Sequence, residues 1–435
     1  MDRLKKFMVK HKKTFMSIAI SLAITVLLPV IIFLFFDWRT APERVAARER
    51  AAFINSLTRE DFVYDINYML TVLEENFPSF GVIYSRNGVD MHVKGQNIRE
   101  YIENPRNRID FYRFWSVLSL DYFYHAFPIG HLRIVSPEAR HLHLTYALEN
   151  LGLWSNSAFW IHYVNAFKSP ASQLAYPALS REVMEAVEAS LAPDDNLTIE
   201  IIEEGRIAYL GVAVMLLNIS DGDRDIIRGF YDEIADFEHL IIDIRGNGGG
   251  WVRYFDELIA GPLMGSRINS ARFYHFMLNG GYNMDYMRVS GQNVIHRGRT
   301  PSGLLEQYEH YSAKFGHHFT VWHHVRPTWQ SNFYGKIWML IDEGVFSASQ
   351  MVAEFYKQAG FATFVGETTG GMVATPMGSN FFSLPNTGII IRYDPTLATN
   401  RNGRPLEYGT DPHHFNRLGM DALETTLALI AEENY

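Results

Sequence analysis

A hydrophobic run that ends in a sharp turn and a serine constrains the fold of this chain more than any other feature. Residues 337–341 are apolar and are followed by Asp-Glu-Gly, and Ser347 then begins a segment with apolar residues at helical spacing. A strand, a tight turn and a serine at a helix start expose the hydroxyl beside unpaired backbone N–H groups. This geometry is typical of a nucleophile, although Ser347 could instead be a simple helix N-cap. Ser349 is a rival nucleophile, but it lies too late for the turn.

A second hydrophobic run leads into a glycine-rich loop. Residues 239–244 have the pattern of a buried strand, and Arg245-Gly-Asn-Gly-Gly-Gly-Trp251 follows. Glycines let the backbone approach a ligand closely, and consecutive amides in such a turn can bind an anion. The spacing is neither that of a Walker loop nor G-x-G-x-x-G. Taken alone, the loop is equally consistent with a plain turn before a helix near 252–260.

Together with two later segments, these features resemble the C-terminal processing (tail-specific) serine peptidases. The loop from Asp243 to Gly250 is similar to that family's glycine signature. Gly344-x-x-Ser347-Ala-Ser-Gln350 is similar to its nucleophile turn, with glutamine where glutamate is common. Gly366-Glu-Thr-Thr-Gly-Gly371 and Arg404-Pro-Leu-Glu407-x-Gly409-x-Asp411-Pro412 resemble its later motifs. The resemblance covers about residues 55 to 430 and implies an α/β fold, with a crotonase/ClpP-like catalytic core and an N-terminal helical subdomain.

The chain lacks the general-base lysine that one branch of this family uses. Met372 lies at the expected position, twenty-five residues after Ser347, and no lysine occurs after Lys357. The sequence is therefore more similar to the branch of the tricorn core peptidase and the retinoid-binding-protein repeats. Active members of that branch use histidine as the base, supported by a glutamate. Gly130-His131-Leu-Arg-Ile134 resembles the histidine segment, and Glu407 matches the glutamate position.

The resemblance implies a chemically coherent catalytic assignment. Ser347 is the expected nucleophile, His131 the base that takes its proton, and Glu407 the carboxylate that orients the imidazole. The N–H groups of Ala348 and Gly249 are the expected oxyanion hole. Without the family register, His131 and Glu407 are equally well explained as structural residues.

Composition excludes several classes of function. The chain has no cysteine, so it has neither disulfides nor a thiol nucleophile, and its net charge of −9 gives no basic surface for nucleic acid. Zinc could be considered because of His141 and His143 and the adjacent histidine pairs at 317–318, 323–324 and 413–414. No His-Glu-x-x-His motif is present, so we expect neither a metal nor another cofactor.

The N-terminal segment predicts a membrane anchor. Six basic residues within positions 1–13 precede an uncharged run at 14–36. As a helix, this run would span roughly 35 Å, enough to cross the hydrocarbon core. It lacks the small residues of a signal cleavage site, so we expect a cytoplasmic basic tail, an uncleaved signal anchor at 14–36 and a single-pass protein with its body outside the cell membrane. An exported chain without cysteine is typical of a bacterial surface protein.

The rest of the chain divides into a stalk and two larger parts. A charged juxtamembrane stalk is predicted at 37–56. Apolar stripes at helical spacing indicate a helical subdomain and connector at 57–199, which leaves no room for a complete PDZ domain. The catalytic α/β domain is expected at 200–435. Its aromatic and histidine-rich insertion at 278–332 could be a packed subdomain or a wall that gates the substrate.

These features together predict a membrane-anchored, extracytoplasmic serine endopeptidase. It would hydrolyse peptide bonds of extended or unfolded polypeptides through an acyl-enzyme. One alternative is an inactive member of the same fold that binds a hydrophobic ligand or a peptide. A third possibility is an anchored scaffold that recruits a partner through the insertion. The sequence does not indicate an oligomeric state.

Overall fold

The computed structural model describes residues 42–126, 128–154, 158–189, 195–216, 221–265, 269–290, 295–296, 315–325, 329–371 and 378–433. The predicted basic tail and signal anchor lie outside these ranges. The predicted stalk enters them at residue 42, as a helix that ends at Ser56. Within the described ranges, no helix is both long and apolar enough to cross a bilayer.

Helices dominate the chain up to residue 189 and alternate with strands after it. The helices are α1 (Pro42–Ser56), α2 (Arg59–Asn76), α3 (Phe80–Asn87), α4 (Met91–Glu103), α5 (Phe111–Ser116), α6 (Tyr124–Ala126), α7 (Pro137–Trp154), α8 (Ala158–Lys168), α9 (Pro170–Ala175), α10 (Arg181–Ala189), α11 (Asp221–Glu233), α12 (Val252–Tyr254), α13 (Gly281–Ser290), α14 (Ala348–Gln358) and α15 (Ala422–Glu432). The strands are β1 (Arg133–Ile134), β2 (Leu197–Glu203), β3 (Ile207–Val212), β4 (His239–Asp243), β5 (Asn269–Met277), β6 (Ile295–His296), β7 (His317–Val325), β8 (Lys336–Ile341), β9 (Thr363–Gly366), β10 (Asn380–Ser383), β11 (Ile390–Tyr393), β12 (Leu397–Thr399) and β13 (His414–Phe415). Short π-helical or 3₁₀ segments lie at Val117–Phe123, Ile129–His131, Phe255–Ala260, Gly261–Leu263 and Leu406–Tyr408.

The apolar stripes of the N-terminal region form one helical core. A capping box between Thr58 and Asp61 begins α2, because each side chain bonds the backbone of the other residue. The apolar stripes of the predicted helical subdomain are largely buried, and their buried members include Phe62, Ile66, Met69, Leu73, Phe111, Phe114, Leu118 and Tyr122. The same core includes apolar side chains of β10 and β11, so the N-terminal helices pack against strands from the other end of the chain.

The connector between the helical and α/β regions is also helical where it is described. Helices α7, α8, α9 and α10 follow one another between β1 and β2, and the described part of this stretch includes no strand. The described part of the connector therefore offers no sheet edge to which a peptide tail could add as an extra strand.

A six-stranded sheet forms the centre of the α/β region, in the order β13-β9-β8-β4-β3-β2. Its strands are parallel except for the edge strand β2, which pairs antiparallel with β3. Apolar residues of α11 and α14 cover one face, and those of α15 cover the other. Because β4 and β8 are parallel neighbours, their carboxyl ends bring the glycine loop and the serine turn to the same edge of the sheet.

The predicted insertion belongs to a larger antiparallel unit. β5 pairs with β7 from Asn269 to Met277, and the full order is β12-β5-β7-β6. Helix α13 follows β5 and packs beside α8 and α2. The unit thus starts before the predicted boundary at residue 278 and takes in β12 from far downstream.

A three-stranded sheet joins the segment after the N-terminal helices to the C-terminal part of the chain. Its order is β1-β11-β10, with Arg133 opposite Arg392 and Ile134 opposite Ile391. Just beyond β11, the N–H of Asp394 donates to the carbonyl of Gly130 at 2.7 Å. This pairing holds the turn that ends at His131 against the C-terminal part of the chain.

Candidate active site

Ser347 lies at the turn between β8 and α14, where the sequence predicted a nucleophile. Asp342 ties this turn to the glycine loop, because its Oδ1 accepts from Gly246 N–H at 2.8 Å and from Gly344 N–H at 3.0 Å. Ser347 occupies the N-cap position of α14, but its side chain makes no capping hydrogen bond. Simple helix capping therefore does not explain this serine.

Two residues of the site have an unusual backbone conformation. Ser347 and His131 are the only non-glycine residues with positive φ in the described ranges, at 59° and 47°. The ψ of Ser347 is −118°, which is also outside the left-handed helical region. Such conformations cost about 1–3 kcal/mol each and persist only where the surrounding structure holds them. Strain at two residues whose side chains meet is typical of a functional site.

His131 reaches Ser347 although 216 positions separate them in the sequence. Its Nε2 lies 3.4 Å from Ser347 Oγ, and catalytic hydrogen bonds are often this long before substrate binds. The imidazole packs edge-on against Phe346, with 5.6 Å between the ring centroids. The residue before His131 must be glycine, because a Cβ at Gly130 would come within 2.5 Å of the ring of Phe77. Aromatic packing thus fixes both the turn and the histidine ring.

Asp394 is the carboxylate that holds this ring. His131 Nδ1 and Asp394 Oδ2 are 2.7 Å apart, and both side chains are almost fully buried. Asp394 is itself supported, because Ser379 Oγ donates to its Oδ1 at 2.7 Å and Arg392 Nε donates to Ser379 Oγ at 2.8 Å. With the Nδ1 proton directed at Asp394, the Nε2 lone pair faces Ser347.

The surroundings keep His131 neutral and Asp394 ionised. Burial, with a smaller contribution from the charge of Arg392, lowers the pKa of His131 to about 4, although Asp394 opposes the shift. Burial alone would raise the pKa of Asp394, but His131, Arg392 and Ser379 outweigh it and hold this pKa below its ordinary value of 3.8. A neutral imidazole beside an ionised carboxylate is the state that a general base requires.

Glu407, the orienting carboxylate expected from the resemblance, lies beside the histidine turn. Gly130 N–H donates to its Oε2 at 3.4 Å, and Arg86 donates to its carbonyl oxygen. Burial and the nearby Asp394 raise the pKa of Glu407 to about 8. Glu407 is therefore a neutral acid near pH 7, and the carboxylate that accepts the hydrogen bond from the imidazole Nδ1 is that of Asp394.

The pKa of Glu407 should make the stability of the fold pH-dependent. In the unfolded chain this carboxyl ionises near 4.5, whereas in the folded chain it keeps its proton up to about pH 8. Its contribution to stability is thus fully present below pH 4.5 and is lost as the pH rises towards 8. Because Glu407→Gln cannot ionise, we expect its free energy of unfolding to rise relative to wild type over this interval, as measured by urea denaturation. The exposed Glu100→Gln should show no such trend, and a pH-independent difference for Glu407→Gln would contradict the assignment.

The predicted oxyanion-hole residues Ala348 and Gly249 are neighbours. A Cβ on Gly249 would come within 2.9 Å of both Ala348 N and Ser347 Cβ, so only glycine fits there. Ala348 is the first residue of α14, and its N–H therefore has no acceptor within the helix. The N–H of Gly249 donates to Asn247 Oδ1 at 3.0 Å. Ala348 is thus poised to bind an oxyanion, whereas Gly249 would first have to release Asn247.

The rival nucleophile Ser349 has a structural environment. It is fully buried, and its Oγ donates to Asn247 Oδ1 at 2.6 Å. Asn247 Nδ2 in turn donates to the carbonyl of Val212 at 2.9 Å. Ser349 therefore helps join α14 to the glycine loop and to the end of β3.

Gln350, which replaces the glutamate common at this position, belongs to a buried polar network. Its Nε2 donates to Thr410 Oγ1 at 3.0 Å, and its Oε1 accepts from Thr369. Thr410 donates in turn to Glu354 Oε2 at 2.7 Å. The carboxylate that accepts from Thr410 is thus that of Glu354, one helical turn after Gln350. With glutamine at position 350, the polar groups of this network still have hydrogen-bond partners.

Asp394 was not predicted from the sequence, although a signal was present. It directly follows the apolar strand β11 and precedes Pro395, and a carboxylate at a strand end is a recurrent feature of active sites. Met372, which replaces the lysine of the other branch, lies outside the described residues.

Two of the histidines considered for zinc have other partners. His141 pairs with Glu188 at 2.9 Å, and His317 hydrogen-bonds Asn279 at 2.6 Å. Within the described ranges, no three histidine, aspartate or glutamate residues converge as metal ligands.

Comparisons with known proteins agree with this fold. The family model of peptidase family S41 matches residues 206–414. A candidate peptidase from Parabacteroides merdae has a similar structure, with 16% identity and a TM-score of 0.51 over 86% of this chain and 97% of that one. Mature CPAF complexed with lactacystin is also similar, with 14% identity and a TM-score of 0.51 over 82% of this chain and 94% of that one. No match was found among curated proteins.

Proposed function

We propose that this chain is a serine-type peptidase of family S41 that hydrolyses extended or unfolded polypeptides through an acyl-enzyme on Ser347. His131 is the general base and then the general acid, and Asp394 orients it and stabilises its charged form. The observation that carries this proposal is the hydrogen-bonded line from Asp394 through His131 to Ser347.

Acylation begins when Ser347 Oγ attacks the carbonyl carbon of the scissile peptide bond. His131 Nε2 takes the hydroxyl proton in this step, and the imidazolium that forms is stabilised by ionised Asp394. The negative charge on the carbonyl oxygen is stabilised by the N–H of Ala348, and by the N–H of Gly249 once it turns from Asn247. His131 then gives its proton to the leaving amine as the C–N bond breaks, which leaves an ester on Ser347.

Deacylation repeats these roles with water. His131 removes a proton from a water molecule that attacks the ester carbonyl, and it returns the proton to Ser347 Oγ as the ester bond breaks. The products are a new carboxyl terminus and the regenerated serine. The lowered pKa of His131 favours its neutral form before each attack.

A covalent probe of serine tests this proposal. We expect a fluorophosphonate to label the full-length protein at Ser347, with the adduct located by mass spectrometry, because a base activates that hydroxyl. Ser349→Ala is the matched control and should keep the label, whereas His131→Ala should lose it. Absence of labelling in folded protein from about pH 5 to about pH 9 would instead favour a binding protein of the same fold.

We also propose that the catalytic body works outside the cell membrane, held by residues 14–36. The uncharged run behind six basic residues supports this placement. Protease added to intact cells should digest a C-terminal epitope tag, and an epitope protected until the cells are lysed would overturn the proposed topology.

A further inference from the structure

Two arginines lie side by side next to the catalytic histidine. Arg133 follows His131 by two positions, and its cross-strand partner in the β1–β11 pair is Arg392. Both side chains are partly buried. In the described part of the chain, the guanidinium of Arg133 makes neither a hydrogen bond nor an ion pair. Arg392 uses its Nε to donate to Ser379.

The charges in this region do not balance. Asp394 is the acidic group that acts on both arginines, and its two oxygens already accept hydrogen bonds from Ser379 and His131. Burial and the charge of Arg133 together lower the pKa of Arg392 to about 10. Two partly buried guanidinium groups thus share one occupied carboxylate, and an additional anion would stabilise them.

An aromatic wall and a histidine complete this region. The guanidinium of Arg392 lies 5.9 Å from the centroid of the Phe381 ring, and the ring of His143 packs 4.8 Å from the same centroid. Burial and the two arginines lower the pKa of His143 to about 3, so its imidazole is neutral and has one N–H to donate. We refer to Arg133, Arg392 and His143, with Phe381 as their wall, as the arginine subsite.

We propose that the arginine subsite binds a carboxylate of the substrate polypeptide close to the scissile bond. A guanidinium presents paired N–H donors that match the two oxygens of a carboxylate. Arg133 follows His131 by two positions and His131 Nε2 lies 3.4 Å from Ser347 Oγ, so a carboxylate held by Arg133 would belong to a part of the substrate near the carbonyl that Ser347 attacks. The carboxylate belongs either to the substrate's C-terminus or to an aspartate or glutamate side chain. This inference rests on the proposed peptidase function.

Kinetics with matched peptides test the subsite. A cleavage site is first located by mass spectrometry in unfolded casein, and peptides around it are made with a free or amidated C-terminus and with glutamate or glutamine at flanking positions. We expect kcat/KM of the full-length wild type to be about 10- to 100-fold higher for the peptide with the recognised carboxylate, because charge-assisted hydrogen bonds discriminate by this factor. Loss of the preference on amidation identifies the C-terminus, and loss on changing glutamate to glutamine identifies a side chain.

Variants of Arg133 connect this preference to the subsite. Arg133→Gln should remove the preference, so that kcat/KM becomes equal for the acidic and the neutral peptide, whereas Arg133→Lys should restore part of the preference. Arg113→Gln, an exposed arginine of α5, is the control and should keep the full preference. Thermal unfolding of each variant separates loss of binding from loss of fold.

The outcomes distinguish the subsite from the peptidase function. If the wild type cleaves acidic and neutral peptides equally while Ser347 is labelled by the fluorophosphonate, the subsite is wrong and the peptidase function stands. If Ser347 is not labelled, the function fails, and calorimetric binding of the acidic and neutral peptides to Ser347→Ala decides the subsite alone. Equal binding there would overturn it, and tighter binding of the acidic peptide that depends on Arg133 would support it.

Discussion

Replacing Ser347 with alanine is expected to lower kcat for peptide hydrolysis by about 10⁴- to 10⁶-fold, because the acyl-enzyme can no longer form. His131→Ala should cost a similar factor, since an unassisted serine hydroxyl is a poor nucleophile near neutral pH. The two residues act as one unit, so the double variant should be no slower than the slower single variant. Initial rates on a fluorogenic peptide, with active-site titration of the wild type, measure these factors.

Ser349→Ala is the matched control for this series. The hydroxyl that it removes lies two positions after Ser347, on α14. That hydroxyl hydrogen-bonds Asn247 rather than a substrate. Its loss should cost about 1 kcal/mol of stability and less than tenfold in kcat. The triad assignment would be refuted by a Ser347→Ala protein that hydrolyses peptides within tenfold of the wild type after removal of contaminating proteases.

The second large effect is expected at Asp394. Asp394→Asn keeps the shape of the side chain but replaces an acceptor oxygen with an NH₂ group, which favours the histidine tautomer with its proton on Nε2. That tautomer cannot accept the serine proton, so we expect kcat to fall by about 10⁴-fold while KM changes little. The pH dependence of kcat/KM, measured alongside, should no longer report an acidic limb near the lowered pKa of His131.

Glu407→Gln provides the comparison for Asp394→Asn. Glu407 is already neutral near pH 7, and an amide has a similar shape, so this change should reduce kcat by less than about tenfold. The opposite result, a large loss for Glu407→Gln and a small one for Asp394→Asn, would mean that Glu407 orients the histidine, as the resemblance implied.

The parts of the site that were predictable depend on local chain geometry. The strand before Ser347, the glycine loop after β4 and the helix that starts at Ala348 each follow from residues that are close in sequence. Parallel pairing of β4 with β8 then brings these motifs together without further information. The position of His131 was inferred from a family resemblance, and its contact with Ser347 depends on packing that no local pattern encodes.

The parts that were not predictable depend on distant pairing. Asp394 meets His131 across 263 positions, and β1, which holds the histidine turn, has only two residues. A strand this short has no recognisable period. The hydrogen bond from Gly249 N–H to Asn247 was not predicted for a related reason. The hydrogen-bond partner of an asparagine side chain depends on the conformation of the folded loop.

The three-stranded sheet that pairs β1 with β11 also determines when the proposed active site can form during synthesis. A ribosome delivers His131 and then Ser347 before Asp394 and β11, which hold the histidine turn in place. A growing chain therefore contains its nucleophile and its base before it can align them. If the proposed function is correct, catalytic competence arises only after β11 has emerged and paired with β1, which would spare the nascent chain from cleavage until then.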